Sequence, residues 1–378
     1  MNMRPIQMVD LQQQYARIKD RIDEGIREVL DTARFINGPA VQSFAQELGD
    51  YLGSRNVVPC ANGTDALQIV LMALGLEPGD EVITPSFTYI ATTEVVALLR
   101  LRPVFVEVDP RTFCLDPKVL EAAITPRTRA IVPVHLYGQA APMHEILTIA
   151  KKHGLPVIED NAQAIGSSYT FPDGTTRKTG TLGLAGCTSF FPSKNLGCYG
   201  DGGAICTDDD ALATRLRMIA NHGQSRQYYH DVVGCNSRLD SIQAAILRVK
   251  LRELDGYVAA RRKVADFYDA AFAGHAKVVT PYRAPYTHHV YHQYTLQLEG
   301  ADRNGLNAFL AERKIPSMIY YPVPGHRQQM FSGSGVAQPH LPVTDELTTK
   351  VISLPMHTEL DDQQLFHITG SVLEFLNA

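Results

Sequence analysis

The chain has no run of about eighteen apolar residues, and that absence excludes a membrane-spanning helix on length alone. It has no basic run and no arginine-rich face, so nucleic acid is not an expected partner. Its first residues, Met1-Asn2-Met3-Arg4-Pro5-Ile6-Gln7, lack the continuous apolar segment of a secretory signal. The six cysteines (Cys60, Cys114, Cys187, Cys198, Cys206 and Cys235) form no Cys-x-x-Cys pair. Their irregular scatter argues against a disulfide framework or a zinc site and suits free thiols in a reducing cytoplasm, with no metal expected. Internal repeats and low-complexity tracts are also missing. What remains is ordinary globular composition, 45% apolar and 20% charged with a net charge of -5. At 378 residues the chain is long enough for one large domain and a smaller second one.

Strand and helix patterns alternate through the first half. Residues 11–30 have helical spacing, and Phe44, Leu48 and Leu52 begin a similar face after Gly38-Pro39. Val57-Val58-Pro59-Cys60 leads through Ala61-Asn62-Gly63-Thr64-Asp65 into a helix from Ala66 to Leu74. A strand, a glycine turn and a helix start, in that order, present free N–H groups to a phosphate. Strands follow at Glu81–Pro85, Pro103–Val108, Ala130–Val134, Leu155–Asp160 and Ala204–Thr207, with helices at 92–99, 143–152 and 210–220. This alternation predicts an α/β fold with a mostly parallel sheet covered on both faces, binding ligands at the strand carboxyl ends. Asn62-Gly63-Thr64, Phe87, His135, Asp160 and Ser189 all fall at such ends and are expected to share one crevice. Residues 168–182 read as a hairpin-like surface excursion.

The longest helical pattern starts at Ser241 and is expected to reach Phe272, with a domain boundary on it: 1–250 and 251–378. Beyond it, 288–298 alternates like an antiparallel strand, 303–313 is helical, 317–321 is a strand, and a helix covers 361–376.

The chemistry centres on Thr188-Ser189-Phe190-Phe191-Pro192-Ser193-Lys194-Asn195 and the glycine run that follows. A lysine placed just after Phe190-Phe191-Pro192 invites desolvation. Desolvation lowers an ammonium pKa and favours the neutral amine that condenses with a carbonyl. Asp160 ends an apolar strand 34 residues earlier. On its own it reads equally well as a helix cap.

Five blocks carry a resemblance that covers nearly the whole chain. They are Ala61-Asn62-Gly63-Thr64-Asp65-Ala66-Leu67, Ile158-Glu159-Asp160-Asn161-Ala162-Gln163, Ser189-Phe190-Phe191-Pro192-Ser193-Lys194, Tyr199-Gly200-Asp201-Gly202-Gly203 and Asn236-Ser237-Arg238-Leu239-Asp240-Ser241-Ile242-Gln243-Ala244-Ala245. In this order they resemble the fold-type I nucleotide-sugar aminotransferases of the DegT/DnrJ family. The resemblance implies a large domain with a seven-stranded sheet, a smaller C-terminal α+β domain, and pyridoxal 5'-phosphate as cofactor. It implies that Lys194 attaches the cofactor and shuttles the proton, and that Asp160 pairs with the pyridine nitrogen. Gln163 would bond the ring hydroxyl, Gly63, Thr64 and Ser189 would hold the phosphate, and Phe87 would stack on the ring. Asn236 would reach the phosphate of a neighbouring subunit's cofactor, making a homodimer with shared active sites. A subset of the family has histidine at the lysine position and performs dehydration; lysine here implies transamination. Asn161 stands where the family suggests alanine and receives no role.

Within the family the blocks look most like the branch that aminates C3 of a 3-keto sugar nucleotide. The expected substrate is UDP-2-acetamido-2-deoxy-3-oxo-glucuronate, with L-glutamate as donor and 2-oxoglutarate as product, in O-antigen (lipopolysaccharide) sugar biosynthesis. Its C6 carboxylate calls for a donor, and Arg238, Tyr320 and Tyr321 are the candidates. The competing readings are an Arg238–Asp240 ion pair and tyrosines that belong to the core. His326, in a proline-rich loop, reads as structural. The alternatives in function are a dTDP-linked 3-keto-6-deoxyhexose or a C4-keto sugar as substrate, or a non-catalytic regulator on the same fold. The intact Asp160, Gln163, Ser189 and Lys194 set argues against the regulator.

Overall fold

The computed structural model describes residues 3–333 and 335–378. Seven strands form the central sheet: β1 (Asn56–Cys60), β2 (Glu81–Pro85), β3 (Arg102–Val106), β4 (Thr128–Ile131), β5 (Ile158–Asp160), β8 (Ala185–Ser189) and β9 (Gly203–Thr207). Their spatial order is β1-β9-β8-β5-β4-β2-β3, with parallel bridges Ile131–Val157 and Val134–Asp160 joining β4 to β5. Only β9 runs antiparallel to its neighbours. Every residue of β2 is buried, as a strand covered on both faces requires. Its neighbours Val82 and Ile83 point to opposite faces. Val82 packs with Leu67, Val95 and Val96, and Ile83 with Val106, Leu120 and Met143.

The helices of this layer are α1 (Leu11–Thr32), α2 (Pro39–Leu52), α3 (Gly63–Ala73), α4 (Ala91–Leu98), the one-turn α5 (Pro117–Leu120), α6 (Met143–His153), α7 (Asp210–Ala220) and α8 (Ser241–Leu251). The excursion at 168–182 is a hairpin, β6 (Ser168–Thr170) with β7 (Thr176–Lys178), and a second hairpin pairs β10 (Gln224–Arg226) with β11 (Tyr229–His230).

The helical pattern from Ser241 to Phe272 is two helices, not one. α8 stops at Leu251, and α9 (Leu254–Phe272) begins after Glu253, whose N–H bonds back to Lys250 at 3.1 Å. That three-residue step tightens the backbone without any glycine or proline to mark it. α9 packs with α10 (Arg303–Glu312), α12 (Asp362–Asn377) and an antiparallel sheet of β12 (Val278–Val279), β13 (Tyr294–Leu298) and β14 (Val351–Leu354). These elements share a core of Tyr268, Phe272, Leu296, Leu310, Ile352 and Val372. α11 (Pro342–Lys350) leads into β14, and neither element is expected from the sequence patterns.

Two strand expectations shrink for a stated reason. The expected strand at 288–298 is regular only from Tyr294, because Tyr291 has a left-handed φ of 49°. The expected strand at 317–321 keeps a single bridge, Met318 to Ser353, and the rest is loop.

Candidate active site

The carboxyl ends of β1, β5 and β8 open into one cavity of about 760 Å³. α3 begins at its wall. Asn62 caps this helix by accepting from the Asp65 N–H at 2.8 Å, and the N–H groups of Gly63 and Thr64, in the first turn, have no intrahelical acceptor. Gly63 is required there, since a Cβ would stand 2.7 Å from the Cβ of Ser189. Gly203 is required for the same reason, because its Cβ would lie 2.4 Å from the Asn62 backbone. The glycine run thus lets β9 and β8 close around the start of α3. Thr64 and Ser189 line the cavity, and the Ser189 hydroxyl accepts from the Phe191 N–H at 3.3 Å.

Asp160, at the end of β5, is buried on the same wall. Its Oδ2 accepts from Thr92 Oγ1 at 2.7 Å and its Oδ1 from the Ala162 N–H at 3.1 Å. Burial pushes the carboxyl above the usual carboxylate range, against the opposing pull of Thr92, Ala162 and Lys194. Gln163, three residues on, has its amide orientation fixed from both ends. Oε1 accepts from the Tyr137 N–H and Nε2 donates to the Tyr321 hydroxyl, each at 2.9 Å.

Lys194 stands on the turn after β8, where its own N–H bonds to Phe191 O at 2.8 Å. Desolvation in the cavity brings its amine down to about 8, with Asp160 pulling the other way. Its Nζ lies 3.5 Å from Nε2 of His292. The structure brings Gly63, Thr64, Asp160, Gln163, Ser189, Lys194, Tyr320 and Tyr321 together on one cavity wall. Tyr320 is fixed through its carbonyl, which accepts from the Tyr137 hydroxyl.

Other expectations need correction. Phe87 is fully buried and packs against Phe113, with ring centroids 5.8 Å apart, so it is not on the wall. Tyr89, exposed to the cavity and 6.2 Å from Tyr321, takes that place. His135 is also absent from the crevice. It lies wholly buried, its Nδ1 accepting from the Ala141 N–H at 3.0 Å, so its Nε2 donates to Glu159 at 2.8 Å. Glu159 accepts in addition from the N–H groups of Gly180, Leu182 and Gly183, and so pins that loop behind β5. Asn161 fills the same layer, donating to Thr179 O and Thr188 Oγ1. His326 is buried against Ser86, as a structural histidine is.

Asn236 and Arg238 lie off the cavity of their own chain. Asn236 is exposed and bridges Asn221, whose Oδ1 accepts from Arg238 at 3.5 Å. Arg238 does not pair with Asp240, which instead caps α8 through the Gln243 N–H at 2.9 Å. Between them Ser237 accepts from the Ala61 N–H at 3.0 Å, tying this segment to the approach of α3. The sequence reading missed Tyr89, Asp201, His292 and Gln293, all on the wall. Asp201 sits inside a recognised block, and its signal was there to be used.

Comparison with known proteins agrees with this geometry. The model of the DegT/DnrJ/EryC1/StrS aminotransferase family matches residues 16–373. The chain is 51% identical over 356 residues to the UDP-2-acetamido-2-deoxy-3-oxo-D-glucuronate aminotransferase of Pseudomonas aeruginosa, covering 94% of this chain and 96% of that protein. It is 47% identical over 372 residues to the UDP-N-acetyl-3-dehydro-alpha-D-glucosamine 3-aminotransferase of Acidithiobacillus ferrooxidans, covering 98% of each. Among solved structures, a DegT DnrJ EryC1 StrS aminotransferase from Brucella abortus superposes with a TM-score of 0.93 at 42% identity, covering 99% of this chain and 100% of that one. From its five blocks to the cavity they build, the chain belongs to the DegT/DnrJ/EryC1/StrS aminotransferase family.

Proposed function

We propose that this cavity transfers an amino group from L-glutamate to C3 of a nucleotide-linked 3-keto sugar, with pyridoxal phosphate, the cofactor of the family, as carrier. The observation that carries the reading is the convergence of Lys194, Asp160, Gln163 and the open start of α3 on one cavity. The residues fit the cofactor. Two unpaired backbone N–H groups and two hydroxyls suit a phosphate, and a buried carboxylate suits a protonated ring nitrogen. When bound, pyridoxal phosphate supplies the electron sink that lets an amino group pass between carbon skeletons.

The chain's own residues do the rest. Gly63, Thr64 and Ser189 hold the phosphate. Asp160, kept in place by Thr92 and the Ala162 N–H, holds a proton at the ring nitrogen. Gln163 has its Oε1 taken by the Tyr137 N–H and one Nε2 hydrogen by the Tyr321 hydroxyl, so the second Nε2 hydrogen is the donor for the ring hydroxyl. Tyr89 covers the ring face. Lys194 Nζ attaches the cofactor and, once displaced, moves the proton at the substrate carbon. An amine titrating near 8 both gives and takes that proton at neutral pH.

The sugar we favour is UDP-2-acetamido-2-deoxy-3-oxo-glucuronate, its product entering O-antigen or other lipopolysaccharide sugar supply. The 51% identity to a relative with that substrate supports the choice over a sugar without a C6 carboxylate. Among the described residues the wall built by one chain offers Asp65 and Asp201 and, apart from Lys194, which the cofactor would occupy, no lysine or arginine, too little for a carboxylate and a diphosphate. A homodimer completes it, with Asn236 and Arg238, which their own cavity does not use, turned to a second copy's site. The same reading divides the chain near residue 250 and places the enzyme in the cytoplasm. Among the described residues no helix is long and apolar enough to cross a membrane.

The test is the absorbance of the lysine-linked cofactor in the purified holoenzyme. It should disappear on adding UDP-linked 3-amino-2-acetamido-glucuronate, as the amine moves onto the cofactor. A response only to a dTDP-linked 3-amino-6-deoxyhexose would keep the chemistry and change the sugar. No such absorbance after incubation with pyridoxal phosphate would end the aminotransferase reading for this cavity.

A further inference from the structure

His292 is 5% exposed and reaches the cavity from the turn made by Tyr291. The loop that carries it is clamped twice. The guanidinium of Arg261, on α9, donates through Nη1 to the carbonyls of Tyr291 (3.0 Å), His292 (3.3 Å) and Met356 (2.8 Å). From the other side Asn195, next to the reactive lysine, donates to Val290 O at 2.9 Å. The lysine turn and the His292 loop therefore hold a fixed relation to each other.

The ring's protonation follows from its neighbours. Nε2 meets two donors, Lys194 Nζ and Gln293 Nε2, both at 3.5 Å. With the Gln293 NH2 group turned toward it and the Lys194 amine charged, both neighbours donate, so Nε2 is the acceptor and the proton sits on Nδ1. Nδ1 is buried without a hydrogen-bond partner among the described residues. The charged groups around the pair are Asp160 facing Lys194 from β5, Arg261 facing His292 from α9, and Asp65 and Asp201 farther along the wall. Burial, Lys194 and Arg261 all hold His292 neutral, so it accepts a hydrogen bond and takes no proton.

We propose that His292 is a positioning residue for the reactive lysine, its neutral Nε2 accepting from Lys194 Nζ and holding the amine in place whenever it has no covalent partner. The inference rests on Lys194 being the attachment point. An acceptor favours the charged amine, so His292 joins Asp160 in opposing the desolvation that depresses Lys194. Without it the ammonium titrates lower, and the amine has no fixed place to wait.

The experiment uses the full chain freed of cofactor. Competitive reductive methylation across pH, read at Lys194 by peptide mass, gives the titration midpoint of that one amine. The wild-type midpoint is expected near 8. His292→Leu should lower it by about one pH unit, and His292→Gln, whose Oε1 accepts in the same direction, should restore most of the shift. A midpoint unchanged or raised in the leucine variant overturns the proposal. Should that variant not fold, nitrogen NMR of the wild-type imidazole decides instead. A proton on Nδ1 supports the proposal and a proton on Nε2 overturns it. Borohydride reduction of the wild-type holoenzyme tests the parent reading separately. Cofactor fixed to a lysine other than Lys194 sinks that reading, whereas fixation at Lys194 with an unmoved midpoint sinks only the role of His292.

Discussion

The wall made of Gly63, Asp160 and Ser189 stands on strand ends and one helix start, whereas Gln163, His292, Gln293, Tyr320 and Tyr321 stand on turns and loops. The first set is placed by backbone ladders. β5 runs beside β8, and β8 and β9 close around the first turn of α3. The second set is placed by individual clamps: Arg261 on two carbonyls, Asn195 on Val290, and the Tyr137 hydroxyl on Tyr320 O. A ladder spreads a residue's position over many bonds, and a clamp concentrates it in one or two. On the proposed function the first set would hold the cofactor, Tyr320 and Tyr321 would face the sugar, and His292 would serve the lysine.

The largest break in that comparison is expected at Asp160. Asp160→Asn keeps the shape and the bonds to Thr92 and Ala162 in reach but cannot hold the ring proton, so transfer should slow by ~10²–10⁴-fold. Single-turnover rates with the amino sugar measure it, and a variant within a factor of two of the parent would remove Asp160 from the mechanism. Next comes Gly63→Ala. Its Cβ meets Ser189 at 2.7 Å, which must push α3 away from β8 and weaken the hold on the cofactor phosphate about tenfold. Equilibrium dialysis of the cofactor reads this directly, and unchanged retention would mean the ladder yields as easily as a loop. The smallest effect belongs to the clamped side. Tyr321→Phe removes the acceptor for Gln163 Nε2 at a cost of about 1 kcal/mol, roughly fivefold. Because the Tyr321 hydroxyl is also the candidate sugar donor, the loss should appear in the KM for the nucleotide sugar, with cofactor retention intact because Gln163 keeps its bond from the Tyr137 N–H. If cofactor retention falls instead, the two walls are not separable.

Phe87 and Tyr89 explain where reading the sequence fails. They are two apart in Ser86-Phe87-Thr88-Tyr89, so strand alternation would put both on one face. The strand has ended at Pro85, and the turn sends Phe87 into the core and Tyr89 to the cavity. His292 was hidden by the same kind of boundary, because the alternation at 288–298 masks the left-handed turn at Tyr291. Arg238 was drawn in by its motif, and its distance from the cavity of its own chain appears only once the segment is tied to Asn221 and Ala61.

The sequence by itself determined the alternation of strands and helices and the glycine turn that opens α3, while the joint role of Asp160 and Lys194 came from the resemblance that the five blocks carry. The alternation and the turn follow from local periodicity and from turns whose geometry few residues permit. Only the tertiary structure decided which aromatic covers the cavity, where the helix after Ser241 breaks, and which imidazole meets the lysine amine. Those depend on contacts between residues about a hundred positions apart, such as Lys194 with His292 and Arg261 with Met356, and no local pattern encodes them.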